Sequence, residues 1–151
     1  MEGILQVLCA GLGTWGFALL FHVQRKHILT ASLGGALSWL CYLISEGLGA
    51  DVFLSTLLAS LVICLWSEGM ARIKKAPANV FLIPGIIPLL PGGHLYYAMQ
   101  GIVFSDQQIF LEHGMTVALI AVGIAGGILA ASEIVRILVG IQRHRKKTET
   151  I

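Results

Sequence analysis

The chain has 151 residues, of which 56% are hydrophobic and 12% charged; its formal net charge is +2 and its mean hydropathy +0.84. Soluble proteins carry about 25% charged residues, so this composition excludes a soluble enzyme or a nucleic-acid-binding module and defines an integral membrane protein. Cys9, Cys41 and Cys64 fall one per apolar run with no CxxC spacing, which reads as small packing residues and not as a disulfide frame or metal site.

Hydropathy predicts an all-α fold of five transmembrane helices in one membrane domain over residues 1–151, with spans near 3–23, 28–45, 51–71, 79–103 and 114–141. The first opens with Met1-Glu2 and lacks a basic leader or a small-residue cleavage site before Arg25, so it reads as a retained span and not a signal peptide. In the third, Val52 to Ser67 covers roughly 24 Å at the helical rise. Glu68 and Arg72 must therefore lie at headgroup level as an i, i+4 surface pair.

The fourth segment dominates the pattern. Ala76 through Ser105 carries no Asp, Glu, Lys or Arg, yet holds Pro84, Pro88 and Pro91. Each proline lacks an N–H, so a straight helix would leave the carbonyls of Val80, Pro84 and Ile87 without their usual donors. Such backbone is tolerated at membrane depth only against protein or a wet cavity. The span is expected to break near the bilayer midplane at Pro91, with Pro91 in the first turn of a second half-helix. The N–H groups of Gly92, Gly93 and His94 would then face the break as an anion site. Pro84, Gly85, Pro88, Pro91, Gly92, Gly93 and His94 are the candidate substrate-binding residues.

The charges sort by side. With five spans, Arg25 and Lys26, then Arg72, Lys74 and Lys75, then Arg143, Arg145, Lys146 and Lys147 share one side. Glu2, Glu46, Asp51, Asp106 and Glu112 take the other. The positive-inside rule places the C-terminus in the cytoplasm and the N-terminus outside. Five spans are a familiar half of a ten-span transporter core. No internal duplication is visible, so the other half is expected from a second copy or a different chain.

Other motifs have plainer readings. Gly11-Leu12-Gly13-Thr14-Trp15-Gly16 matches GxGxxG but sits mid-span, where no strand precedes it. Glycines that let helices approach closely are the better account, as for Gly34-Gly35 and Gly123-x-x-x-Gly127. Glu133 and Arg136, at i, i+3 in the fifth segment, are a candidate ion pair or coupling site. The His94 imidazole suits proton coupling or a packing hydrogen bond. No catalytic constellation, metal site or cofactor motif is present.

Pro84-Gly85-Ile86-Ile87-Pro88-Leu89-Leu90-Pro91-Gly92, followed by Tyr96 and Met99 and preceded by Ala76-Pro77 after a basic cluster, resembles the signature of the threonine/serine exporter family. Gly16-Phe17-Ala18-Leu19-Leu20-Phe21-His22-Val23 is similar to that family's first span. The resemblance is to the small, five-span subunit of the two-chain form. It implies a secondary transporter in the bacterial cytoplasmic (inner) membrane, working with a larger subunit and exporting small amino acids or carboxylates such as succinate. Gln24 departs from the proline many relatives carry there. Gly93-His94, Glu133 and Arg136 match no family motif. The rival reading is a structural or assembly subunit that never touches substrate.

Reporter fusions after Lys75 and at the C-terminus are expected to read as cytoplasmic, and fusions near Asp51 and Asp106 as external. A cytoplasmic signal at Asp51 would overturn the five-span arrangement.

Overall fold

The computed structural model describes residues 2–148; for 139–148 it describes the helical backbone alone. The side chains of Arg143, Arg145, Lys146 and Lys147 therefore lie outside the described residues. Six α-helices follow in order: α1 (Glu2–Leu20), α2 (Arg25–Gly47), α3 (Val52–Lys74), α4 (Asn79–Ile86), α5 (Gly92–Val103) and α6 (Gln107–Thr148). A 3₁₀ turn, Ile87–Leu89, links α4 to α5, and no strand occurs among the described residues. Helices α1, α2, α3 and α6 are each long and apolar enough to cross a membrane. Residues Asn79–Leu89 and α5 together make a fifth span if counted as one, bent by 54°.

Turn chemistry moves several boundaries from those that hydropathy predicts. Helix α1 ends at Leu20, because His22 takes φ 54° and the Val23 N–H returns to the Ala18 carbonyl, a Schellman turn. Helix α2 starts at Arg25 and so includes the basic pair and His27. The largest correction is α6, which begins at Gln107 and not at Gly114. Asp106 Oδ1 accepts the N–H groups of Gln108 and Ile109, each at 3.1 Å. Capping sets where a helix begins, whereas hydropathy marks only where its apolar run begins. Gln107, Gln108, Glu112 and His113 ride on the added turns.

Small residues and self-satisfied hydroxyls hold the bundle together. A Cβ at Gly35 would collide with Thr14 of α1, and one at Gly34 would lie 2.6 Å from Trp66 of α3. One at Gly127 would collide with Ser60 and the Leu57 carbonyl of α3. The buried hydroxyls of Thr14, Thr56 and Ser67 bond to carbonyls one turn earlier, at 2.7–2.8 Å. Ser60 Oγ lies 2.9 Å from the Leu57 carbonyl and 3.3 Å from the Gly123 carbonyl of α6. Packing of this kind, and not the hydrophobic effect, drives helix association in lipid. Of the α1 glycines Gly11 lies closest to a neighbour, Ala36 at 3.4 Å, and Gly3 meets Leu43 at 3.8 Å; Gly13 and Gly16 face open space.

Helices α3 and α6 run in the same direction. Gly123 lies against Phe53 at the start of α3, and Cys64 Sγ lies 4.0 Å from the Ile128 carbonyl further along. The stretch from Gln107 to Ile120, about 21 Å at the helical rise, therefore overhangs the start of α3. There α5 packs against it, and a Cβ at Gly101 would lie 2.6 Å from the Phe110 nitrogen.

Gly127→Val is expected to lower the thermal midpoint of the detergent-solubilised protein, since overpacking costs about 1–3 kcal/mol. Gly13→Ala, with nothing near the added methyl, is expected to leave the midpoint unchanged or raise it.

Candidate functional site

The broken span is built from two unlike halves. In α4, Pro84 is fully buried and Gly85 is seated against α3, where a Cβ would lie 2.5 Å from Ile63 Cδ1. Beyond them Pro88 sits in the 3₁₀ turn, and the Ile87 carbonyl regains a donor in the Leu90 N–H at 3.0 Å. Pro91, with φ −79° and ψ 53°, forms an inverse γ-turn in which the Gly92 N–H bonds the Leu90 carbonyl at 2.8 Å. Pro91 is thus the N-cap of α5 and not a first-turn residue, and the Gly92 N–H is not free. The first bond of α5 runs from the Leu95 N–H to the Pro91 carbonyl at 2.9 Å. The N–H groups of Gly93 and His94 precede it and are the open donors of that helix end.

Depth also differs from expectation. Ile63 stands midway along α3, so its partner Gly85, and not Pro91, marks the middle of the bundle. Counting residues assumed two halves aligned along one axis, whereas the 54° bend turns α5 aside. The predicted site residues consequently separate. Pro84 and Gly85 are buried, Pro88 and Pro91 half-buried, and Gly92, Gly93 and His94 exposed.

His94 meets a residue that sequence reasoning missed. Its Nδ1 lies 3.0 Å from Nδ1 of His113 on α6, and Tyr97 stacks on the His113 ring with centroids 5.1 Å apart. A hydrogen bond between two imidazoles requires one ring to donate and the other to accept, and this one links α5 to α6. Nothing local in the sequence marks His113, because its partner lies across the α5–α6 turn.

Two buried side-chain atoms lack a hydrogen-bond partner among the described residues, His27 Nδ1 and Trp39 Nε1. Both lie beside the buried half of the broken span. The His27 ring stands edge-on to Phe81, with centroids 5.4 Å apart. Trp39 lines a small cavity with Gln6 and Pro88. A buried polar atom left unpaired costs about 1–3 kcal/mol, so this is where a bound polar ligand would gain most.

Glu133 and Arg136 do pair, with Oε1 and Nη1 3.7 Å apart, but their side chains are 65% and 81% exposed. The register of α6 on α3 puts Glu133 beside the stretch from Ile63 to Gly69, within the membrane-length run. Among the described residues no group of three His, Cys, Asp or Glu is placed to hold a metal ion.

An all-helical chain with several membrane-length helices, one of them broken beside unpaired polar atoms, has the build of a multi-pass membrane transporter. The family model described as "Threonine/Serine exporter, ThrE" matches residues 6–134, and the chain belongs to that family. The match covers the broken span and ends just past Glu133. No solved structure matches the chain.

Proposed function

We propose that the chain is the small, membrane-only subunit of a two-chain secondary exporter in a bacterial inner membrane. With a larger subunit of the same family it moves a small amino acid or small carboxylate outward by alternating access. The basic end of the bundle is the cytoplasmic one. The observation that carries this reading is the break itself. The open N–H groups of Gly93 and His94 head α5, and a Cβ added at Gly92 or Gly93 meets nothing within 4 Å. Helix N-termini at breaks of this kind hold substrate carboxylates in transporters. The His94–His113 pair next to it offers a place for a coupled proton.

Two features support an obligate partner. Glu133 and Arg136 lie toward the basic end on an exposed face of a membrane-length helix, where a partner chain would cover them. The overhanging α5–α6 hairpin exposes Ile102, Val103, Phe104 and Leu111 beyond the start of α3. The rival, a structural subunit, draws on the burial of Pro84 and Gly85, which makes the first half of the break a packed kink.

Vesicle efflux separates these readings. The single chain is expected to give no efflux, with activity appearing on co-expression with a larger family member. Robust transport by the purified chain alone would replace that model with a homo-oligomer. Gly92→Leu is expected to abolish efflux while leaving the protein in the membrane, because the side chain fills the approach to the Gly93 and His94 donors. Amide analogues of the substrate are expected not to compete. Normal efflux by Gly92→Leu, or competition by the amide, would leave the kink as packing only.

A further inference from the structure

At the basic end of the bundle a cavity of about 610 Å³ opens between two helix corners. The α1–α2 corner contributes His22, Lys26 and His27, and the α3–α4 corner contributes Lys75 and Asn79. Pro84 of the broken span lines it too, and no acidic residue does. Its size falls within the roughly 300–1,000 Å³ range of small-molecule sites.

The chemistry of the walls is one-sided. Two lysines and two imidazoles line it, together with the amide of Asn79 at the start of α4. His27 is only 4% exposed, and its Nδ1 has no partner. That atom is an independent sign of a missing ligand, since native proteins rarely leave a buried polar group unpaired. The corners are unusual as well. His22 and Lys75 hold the left-handed position of Schellman turns, with φ 54° and 50°. Glycine takes that position at least cost, and Gly49 and Ser105 hold it in the other two such turns. Keeping His and Lys there puts an imidazole and an ammonium group at one opening.

We infer that this cavity is an anion-binding vestibule that receives a small carboxylate at the basic end of the bundle and delivers it to the broken span at Pro84. Lys26 and Lys75 supply the charge, His27 a buried hydrogen-bonding group, and Asn79 a side-chain amide. The absence of any carboxylate in the lining disfavours a ligand ammonium here, so the site selects a carboxylate over a zwitterion. The inference rests on the export reading only for the direction of traffic. A lipid phosphate offers the same anionic oxygens, and the test tells the two sources apart.

The test uses the full chain in phosphatidylcholine nanodiscs, with Cys9, Cys41 and Cys64 replaced by alanine and a single Asn79→Cys label site. A water-soluble maleimide reports access to the cavity. Succinate at twice its dissociation constant is expected to slow labelling about threefold, by simple mass action, while succinamide and threonine leave the rate unchanged. The pair Lys26→Gln and Lys75→Gln is expected to remove the protection, and Lys26→Arg with Lys75→Arg to keep it, which excludes misfolding as the cause. Gly92→Leu is expected to retain full protection, so this site and the break site stand or fall separately. Equal slowing by succinate and succinamide, or none by either, would overturn the inference. Slowing by phosphatidylglycerol without succinate would assign the cavity to a lipid headgroup instead and overturn the carboxylate assignment.

Discussion

The seating of Gly85 against Ile63, with Pro84 enclosed beside it, is the constraint on which the broken span depends. A helix that has lost backbone donors to proline can stay at membrane depth only if its neighbours pack against it. Here α3 does so with Ile63, and α2 with the small residues Gly35 and Ser38. Ser38 Oγ bonds the Gly35 carbonyl at 2.9 Å and lies 3.5 Å from the Gly85 carbonyl. With α4 clamped, the chain absorbs its remaining irregularity at Pro88 and Pro91, through a 3₁₀ turn and then a γ-turn. Helix α5 leaves the bundle from there and packs on α6. The bend follows from one half being held and the other not.

That division of labour separates two kinds of proline in one motif. Pro84 is a buried packing residue at the inner edge of the cavity at the basic end. Pro91 ends one helix and starts another, and leaves two N–H groups open. The unpaired Trp39 and His27 atoms flank the clamped half, one near the turn and one near the basic end. A polar solute moving along this side of the bundle would therefore meet hydrogen-bonding groups at both ends of an otherwise apolar helix.

The face of α6 turned away from α3 carries the opposite message. An ion pair this exposed contributes little stability when solvated and is costly against lipid. In the proposed two-chain assembly this face and the overhanging hairpin are the surfaces that a partner would cover. Membership in an exporter family and four or five membrane-length spans accord with a membrane transporter.

Much of this could be read from residues 1–151 in order, because a bilayer imposes length and polarity on any span. The apolar runs, the proline-glycine segment and the exporter resemblance all follow from local composition, and the break falls within the segment that the prolines mark. Helix ends were less legible, since α6 starts where Asp106 caps it and not where its apolar run begins. What only the tertiary structure decided is which distant groups meet. His94 finds His113 because α5 folds back on α6, and Lys26 joins Lys75 because two corners stack at one end of the bundle. Pro84 and Gly92 part company because one half of the span is clamped. Those outcomes depend on the rotation and depth of each helix, which side-chain packing sets and no single stretch of sequence encodes.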